Sequence, residues 1–263
     1  MSGFINVFKR TEMKYLVNEE QYQQLKKYLD TIAAVDSYGK TKINNIYFDT
    51  PDFYLIRTSL EKPLYKEKIR LRTYGKTNDK SNSFIEIKKK YDGVVYKRRI
   101  SGDYDSNYKY LLQKKTIGKE EGGSQISKEI DYFKGMYKNL IPAMKICYDR
   151  VAMIGKEDES LRITFDSNIT WTTDSFDLKD DKYGKTILEE GWYMMEIKVT
   201  NAMPLELSRK LSELKIYPTS FSKYGKGYSR MLEEKRRRIA NLNVVTVLRE
   251  QPLITGVASR CGA

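Results

Sequence analysis

The sequence predicts an α+β fold in which β-strands close into a barrel with a charged interior and helices pack around the outside. Three observations support this prediction. Strand-like segments recur along the chain and alternate apolar with charged positions. Three segments with helical spacing of apolar residues need an apolar sheet surface to pack on. The polar strand positions are mostly Arg, Lys, Glu and Asp, whereas an ordinary solvated sheet surface also carries Thr, Ser and Gln.

Periodicity and turn residues give the order of the elements. The predicted strands are 4–17, 42–49, 65–74, 84–90, 94–100, 145–154, 161–171 and 191–200, with a connecting segment at 50–64. The predicted helices start at Asn18, lie within 104–140 around an interruption at 118–124, start again at Pro204, and cover 229–243 after a loop at 218–228. Residues 1–243 are predicted to form one domain, and 244–263 form a tail of unknown role.

The first predicted strand shows the charge pattern clearly. Arg10, Glu12 and Lys14 are two residues apart, so their side chains point to the same face of a strand. The same alternation recurs on later strands, where charged or polar residues share one face. These sets are Arg70 and Arg72; Glu86 and Lys88; Lys97 and Arg99; Tyr148 and Arg150; Arg162, Thr164 and Asp166; and Glu196 and Lys198.

Two arrangements explain such alternation. An antiparallel sheet with one solvated face shows it, and so does a barrel whose helices cover the apolar faces and leave the charged faces inside. A dry interior full of unpaired charge is costly, so a charged barrel must hold water and anions or metal ions. Arg and Lys match phosphate oxygens, while Glu and Asp oxygens suit Mg²⁺ or Mn²⁺. The mixture therefore predicts a metal–polyphosphate site.

Composition narrows the function further. The net charge of +13 indicates a polyanionic partner such as nucleic acid, an anionic membrane or a phosphate-rich small molecule. The sequence has no histidine, which excludes a Ser-His-Asp triad and His-based zinc sites. The two cysteines show no paired spacing, and neither a secretory signal nor a membrane-spanning apolar run is recognised. We therefore expect a cytoplasmic location.

Eight short motifs occur in order over roughly residues 8–230. They are Arg10-x-Glu12-x-Lys14-Tyr15, Tyr47-Phe48-Asp49-Thr50-Pro51, Lys68-Ile69-Arg70-Leu71-Arg72-x-Tyr74, Phe84-x-Glu86-Ile87-Lys88-x-Lys90, Tyr148-x-Arg150, Arg162-Ile163-Thr164-Phe165-Asp166, Glu196-Ile197-Lys198 and Ser220-x-Ser222-Lys223-Tyr224. Together they resemble the vacuolar transporter chaperone (VTC) domain, a branch of the triphosphate tunnel metalloenzymes. That superfamily's first-strand signature is Glu-x-Glu-x-Lys, and Arg10 replaces the first Glu as is usual in the VTC branch.

The resemblance implies a closed eight-stranded antiparallel tunnel and a polyphosphate polymerase, which transfers the γ-phosphoryl group of ATP to a growing polyphosphate chain and releases ADP. It implies catalytic roles for Arg70, Arg72, Arg150 and Lys223, and substrate-binding roles for Lys14, Arg10, Lys88, Lys97, Tyr148, Arg162, Lys198 and Ser222. Glu196 would hold Mn²⁺ or Mg²⁺, with Glu12, Glu86 and Asp166 as further metal candidates. VTC domains commonly have a lysine where this chain has Ser220, so one phosphate contact is expected to be absent.

Two other functions stay open beside the polymerase. One is a triphosphatase or other hydrolase of the same superfamily, and the other is a non-catalytic polyphosphate-binding module. The expected partners are ATP and inorganic polyphosphate, without a specific nucleic acid, and a membrane-protein partner is kept open. The basic run at 235–238 is more typical of a solvated helix face than of a nucleic-acid site.

Overall fold

The computed structural model describes residues 11–112, 124–200 and 202–249. Its strands are β1 (Thr11–Asn18), β2 (Ala33–Asp49), β3 (Tyr65–Tyr74), β4 (Asn82–Tyr91), β5 (Val94–Asp103), β6 (Ile141–Gly155), β7 (Arg162–Thr172), β8 (Lys185–Thr186) and β9 (Trp192–Val199). Its helices are α1 (Glu19–Ile32), α2 (Tyr54–Leu60), α3 (Tyr104–Leu112), α4 (Gln125–Met136), α5 (Leu205–Glu213) and α6 (Lys223–Arg249). The chain divides into two units, Met1–Gly227, which contains the sheet, and Tyr228–Ala263. Within the described ranges, no helix has both the length and the apolar character that a membrane crossing requires.

The strands form one antiparallel sheet with the order β1-β9-β7-β6-β2-β3-β4-β5, and β8 pairs with β7. The predicted α+β class and antiparallel pairing are confirmed, but the prediction of a closed eight-stranded barrel is wrong. Strands β1 and β5 lie at the two ends of the order, and no ladder joins them in the part of the chain that the structure describes. Residues 94–99 of β5 are all exposed and include Lys97, Arg98 and Arg99. Such charges are typical of an edge strand, because they disfavour pairing with another strand.

The open sheet is nevertheless strongly curled. Six strand spacings separate β1 from β4, which is about 29 Å along a flat sheet. The Lys88 Nζ of β4 nevertheless lies 4.0 Å from a carboxylate oxygen of Glu12 on β1. The two ends of the sheet therefore face each other, and one surface of the sheet is concave.

Apolar side chains on the convex surface hold the helices. Leu25 of α1 and Leu207 of α5 are fully buried against residues of β1, β7 and β9. Leu55 of α2, Tyr110 of α3 and Phe133 of α4 are buried against residues of β2, β3 and β4. Because successive strand residues point to opposite faces, this packing leaves the charged positions on the concave surface, as predicted.

Strand β2 and helix α2 differ from the sequence prediction. Strand β2 begins at Ala33, well before position 42, and its pairing with β6 is irregular between Val35 and Lys40. Helix α2 lies in the segment predicted as a connection. The buried carboxylate of Asp49 accepts hydrogen bonds from the N–H groups of Leu55 and Ile56 at 2.8 and 3.0 Å. It thereby satisfies backbone donors that have no partner within the helix.

Helix α6 also begins earlier than predicted. It starts at Lys223, within the segment predicted as a loop, and Ser222 Oγ accepts the N–H of Gly225 at 3.1 Å. Ser222 thus acts as the N-cap of α6. The sequence does not indicate this helix start, because the glycines that follow Ser222 are unfavourable in helices. Residues 4–10 of the first predicted strand, 118–123 of the interruption and 250–263 of the tail lie outside the described residues. The domain division at residue 243 stays a prediction.

Gly39 and Gly184 provide a matched test of the packing of β8 on β7. Their φ angles are 58° and 78°, but an added Cβ would meet nothing within 4 Å at Gly39 and would lie 2.2 Å from the Trp171 carbonyl oxygen at Gly184. We expect Gly39→Ala to lower the free energy of unfolding by about 1–2 kcal/mol through left-handed backbone strain. Gly184→Ala should cost about 1–3 kcal/mol more, because the strands must separate. Urea unfolding measures both values, and equal losses would contradict this close packing.

Candidate functional site

The concave surface carries a dense set of cations, and we call it the basic face. Seven strands and the start of α6 contribute to it, because alternate residues of each strand point to the same side. Its cations are Lys14, Lys68, Arg70, Arg72, Lys88, Lys97, Arg99, Arg150, Arg162, Lys198 and Lys223, and its carboxylates are Glu12, Glu86, Asp166 and Glu196. Every predicted site residue that the structure describes lies on this face or at its edge, and Arg10 lies outside the described residues.

An open cavity of about 520 Å³ shows how the ends of the sheet meet. Lys97 and Arg99 of β5 line it together with Arg162 of β7 and Lys198 of β9. Strands β5 and β9 are far apart in the sheet order, so only the curl brings these four side chains together. Glu159 also lines the cavity, so its lining has four cations and one carboxylate, and this net positive charge favours the binding of an anion.

Glu86 is the centre of one group of cations. Its side chain is 2% exposed, and its Oε2 accepts a hydrogen bond from Arg70 Nε at 2.8 Å. Arg72 Nη1 lies 3.7 Å from the same oxygen, and Lys97 Nζ lies 3.2 Å from Oε1. Burial alone would raise the pKa of Glu86, but the charges of Arg70, Arg72 and Lys97 lower it to about 2. The carboxylate is therefore ionised at neutral pH and holds three cations in place.

Asp166 is the centre of a second group. Arg150 Nε and Nη2 donate to its two oxygens at 2.6 and 2.8 Å, which is the forked geometry that Arg favours with carboxylates. Lys223 Nζ lies 2.5 Å from Oδ2. Burial would raise the pKa of Asp166, but Lys223 and Arg150 lower it to about 2. The carboxylate thus connects β6 and β7 to the first residue of α6.

Tyr148 lies between these two groups. Its hydroxyl accepts a hydrogen bond from Arg72 Nη2 at 3.1 Å. Lys223 Nζ lies 4.5 Å from the centre of its ring, and the Arg150 guanidinium lies 5.3 Å from it. Cations over an aromatic face are attracted by the ring. Tyr148 therefore links the cations around Glu86 to those around Asp166 into one continuous surface.

The third group contains Glu12 and Glu196 on the paired strands β1 and β9. Glu196 lies 2.6 Å from Lys198 Nζ, and Glu12 lies 3.3 Å from Lys14 Nζ. Burial would raise the pKa of Glu196, but Lys198 and other nearby cations lower it to about 2. Thr164 pairs with Glu196 across β7 and β9, and its hydroxyl is buried without a hydrogen-bond partner in the described structure.

The four predicted metal candidates are distributed over these three groups. Glu86 and Asp166 belong to separate ion-pair centres, and Glu12 and Glu196 belong to the third group. In the ranges that the structure describes, no three acidic or sulfur side chains are close enough together to hold one metal ion. Each of the four carboxylates has at least one cation within 4.0 Å.

Three residues of the site, Tyr47, Lys68 and Arg99, carry no role in the sequence prediction, and Arg99 lines the cavity. Tyr47 is buried, accepts a hydrogen bond from Arg70 Nη1 at 3.0 Å, and stacks on Tyr224 with ring centres 4.5 Å apart. Burial would raise the pKa of Tyr47, but Arg70, Arg72 and Lys68 lower it to about 8. Lys68 faces the same side of β3 as Arg70 and Arg72, and that spacing of two residues was a signal available in the sequence.

Comparison with known proteins gives a match over most of the chain. The VTC domain family matches residues 9–232. Subunit 4 of the vacuolar transporter chaperone complex of Schizosaccharomyces pombe is 27% identical over 192 residues, covering 62% of this chain and 26% of the subunit. Subunit 2 of the complex of Saccharomyces cerevisiae is 28% identical over 190 residues, covering 64% of this chain and 22% of the subunit. The chain therefore spans about a quarter of the length of these curated relatives.

Two solved structures overlap partially with this chain. A candidate adenylyl cyclase from Hippeastrum with a dominant triphosphatase activity is 16% identical, with a TM-score of 0.47 and coverage of 83% of this chain and 94% of its own. A candidate adenylate cyclase from Vibrio parahaemolyticus is 11% identical, with a TM-score of 0.41 and coverage of 83% and 97%. The assignment depends instead on the sequence match over residues 9–232, which includes the strands of the basic face: the chain belongs to the VTC domain family.

Proposed function

We propose that the basic face binds a chain of phosphates and that the protein is a polyphosphate polymerase. It would transfer the γ-phosphoryl group of ATP to a growing inorganic polyphosphate and release ADP, with a divalent metal ion. One observation carries the proposal: among the described residues, cations clearly outnumber carboxylates on a single concave surface, with eleven cations and four carboxylates on its strands and at the start of α6. The excess positive charge matches the repeated negative charge of linear polyphosphate, and Arg and Lys donors suit its oxygens.

Four cations are proposed to contact the transferring phosphoryl group. They are Arg70, Arg72, Arg150 and Lys223, which Glu86 and Asp166 hold in position. Phosphoryl transfer requires alignment and stabilisation of the charge on the equatorial oxygens more than covalent help. Side chains that are oriented before the substrate arrives supply both. The accepting phosphate oxygen is already ionised at neutral pH, so the lack of histidine is no obstacle.

The remaining polar residues of the basic face are proposed to hold the rest of the polymer. They are Lys14, Lys88, Lys97, Tyr148, Arg162, Lys198 and Ser222. Lys97, Arg162 and Lys198 line the 520 Å³ cavity. Lys14 and Lys88 lie beside Glu12, Tyr148 contacts Arg72, and Ser222 precedes the first residue of α6. A phosphate contact by Arg10 remains a prediction.

Glu196 is proposed to hold the divalent metal, Mn²⁺ or Mg²⁺, together with Glu12 on the neighbouring strand. The residues present fit such an ion, because the Glu196 carboxylate is ionised and the adjacent Thr164 hydroxyl is buried without a partner among the described residues. Oxygen donors of this kind suit both metals. A bound divalent ion would neutralise charge on the phosphate oxygens. Glu86 and Asp166, expected as further metal candidates, are proposed to position cations, because each is almost fully buried and pairs with at least two cations, whereas Glu196 pairs with Lys198 alone among the described residues.

A non-catalytic polyphosphate-binding module is the second candidate function. The observation that favours it is that each carboxylate of the basic face is paired with a cation. Such a protein would bind the polymer with a steep dependence on salt, because surface charges are screened. A triphosphatase would use the same face, and the assay below separates all three functions.

The names of the relatives suggest further partners. Both relatives are subunits of a vacuolar transporter chaperone complex. By analogy, we propose a membrane-complex subunit as the protein partner, beside ATP and inorganic polyphosphate. The cytoplasmic location stays a prediction.

Replacing Glu86 tests whether it acts as a charged anchor. Its pKa is lowered from 4.5 to about 2, so its ionised form stabilises the fold above about pH 4.5, and that contribution is lost as the pH falls toward 2. The stability difference between wild type and Glu86→Gln should therefore shrink by roughly 2 kcal/mol from pH 6 to pH 3. Urea unfolding at each pH measures this difference, with the exposed Glu20→Gln as the control. A constant difference would contradict the anchoring role.

An assay with ATP and Mn²⁺, with and without a short polyphosphate primer, tests the polymerase. We expect long polymer together with a stoichiometric amount of ADP, because the face can hold both donor and acceptor phosphates. The readouts are ADP, free phosphate and polymer length on a gel. Free phosphate without polymer would indicate a triphosphatase, and binding without turnover would indicate the binding module.

Glu196→Gln tests the proposed metal position. We expect metal-dependent turnover to fall about 10–100-fold, the usual effect of weakening a metal site. Binding of tripolyphosphate without metal should be retained or strengthened, because a negative charge leaves the basic face. Glu20→Gln, on the exposed side of α1, should keep full turnover. Unchanged turnover in Glu196→Gln would remove Glu196 from the metal site.

A further inference from the structure

Lys68 is a cation of the basic face without a carboxylate partner. It lies on β3 two residues before Arg70, and its Nζ donates a hydrogen bond to Ser222 Oγ at 3.1 Å. No ion pair within 4.0 Å involves Lys68 in the described structure, whereas Arg70 and Arg72 both contact Glu86. Burial lowers the pKa of Lys68 to about 8, and the neighbouring lysines add to this effect. A partly buried ammonium group with only a neutral partner favours the arrival of an anion.

The Ser222 hydroxyl is arranged to donate to the same anion. Its oxygen accepts a hydrogen bond from the N–H of Gly225 at 3.1 Å and another from Lys68 at 3.1 Å. A hydroxyl has two acceptor sites and one donor proton, so both acceptor sites are used. No acceptor for the proton is found among the residues that the structure describes. The proton of Ser222 is therefore available for an oxygen that lies next to Lys68.

The charges around this pair leave an excess of cations. Lys14 Nζ donates to the carbonyl oxygen of Phe221 at 3.3 Å, next to Ser222 in sequence. Lys14 and Lys88 share a single carboxylate, Glu12, at 3.3 and 4.0 Å. Among the described residues, Lys14, Lys68 and Lys88 from three strands thus have one carboxylate within 4.0 Å between them. The repulsion among these cations is relieved most directly by a bound group with several negative oxygens.

We propose that Lys68 and Ser222 form a separate phosphoryl subsite, located where β3 meets the start of α6. It takes one phosphoryl group of a linear triphosphate or polyphosphate, while neighbouring phosphates contact the cations around Glu86 and Asp166. Two residues of a strand span about 7 Å, so Lys68 and Arg70 suit different phosphates of one chain. The subsite rests on the proposed binding of polyphosphate to the basic face and does not depend on turnover.

Ionisation of Lys68 gives this subsite a pH dependence. The titratable or charged groups that face Lys68 are Tyr47 of β2, Lys66 of β3, Lys88 of β4, Lys14 of β1 and Tyr224 of α6, and Glu12 pairs with the two lysines Lys14 and Lys88. Tyr47 also has a pKa of about 8 and would become negative over the same range. A comparison with Lys68→Arg isolates the lysine, because that variant retains Tyr47 and keeps its charge.

The test uses titration calorimetry of the full chain with tripolyphosphate and without metal. At pH 7, Lys68→Met should weaken binding at least roughly tenfold, the effect of losing a charged hydrogen-bond donor. Lys27→Met removes the same charge at an exposed position of α1, on the convex side of the sheet, and should weaken binding less than about fivefold. From pH 7 to pH 9, wild-type affinity should fall more than that of Lys68→Arg, because only the lysine loses its proton.

The outcomes separate the subsite from the proposed function. Equal weakening in Lys68→Met and Lys27→Met, or the same pH dependence in wild type and Lys68→Arg, would overturn the subsite and leave the polymerase standing. Absence of polymer synthesis would overturn the polymerase and leave the subsite standing. Metal-free ATP is the second probe. An equal loss with ATP supports a subsite for any triphosphate, and a loss with tripolyphosphate alone supports a subsite for the inorganic polymer.

Discussion

Two carboxylates, Glu86 and Asp166, lie beneath the basic face, and their ion pairs determine where its arginines point. Their side chains are 2% and 1% exposed, and both are ionised. Burial of a charge is costly, and it is tolerated only when partners and hydrogen bonds are well placed. Arg70 and Lys97 supply these partners for Glu86, and Arg150 and Lys223 supply them for Asp166. The two carboxylates therefore hold these cations in position. The N–H donors of the cations that are not bonded to the carboxylates stay directed toward the concave space.

The curl of the sheet makes these separate pairs into one surface. Helices cover the convex side with Leu25, Leu55 and Phe133, so each strand can place its charged residues on the other side without losing its apolar contacts. The open cavity between β5 and β9 exists because the ends of the sheet approach each other. Family membership, the curled sheet and the excess of cations are thus consistent with one kind of ligand, a chain of phosphates.

Strand alternation made much of this site predictable from the sequence. Arg70 and Arg72, or Glu196 and Lys198, share a face because they are two residues apart, and that spacing is local. The closed barrel was predicted wrongly, because pairing between β1 and β5 depends on the edges of strands far apart in the chain. The start of α2 depends on Asp49, several residues upstream, and the start of α6 depends on the cap at Ser222. The role of Tyr47 is visible only through its contacts with Arg70 and Tyr224, which no sequence spacing reveals.

The free edge of β5 affects how the concave surface is reached from solvent. Among the described residues, β5 pairs with β4 alone, whereas the outer edge of β1 is bridged at Tyr15 by Pro218, and the Lys14 carbonyl accepts the N–H of Thr219 at 2.7 Å. The direct ion pair between the two sides, Glu12 with Lys88, is partly exposed, and such a pair contributes about 0–1 kcal/mol, far less than a backbone ladder. The concave surface is therefore open along the side of β5, and a linear ligand reaches it without threading a free end through a closed ring.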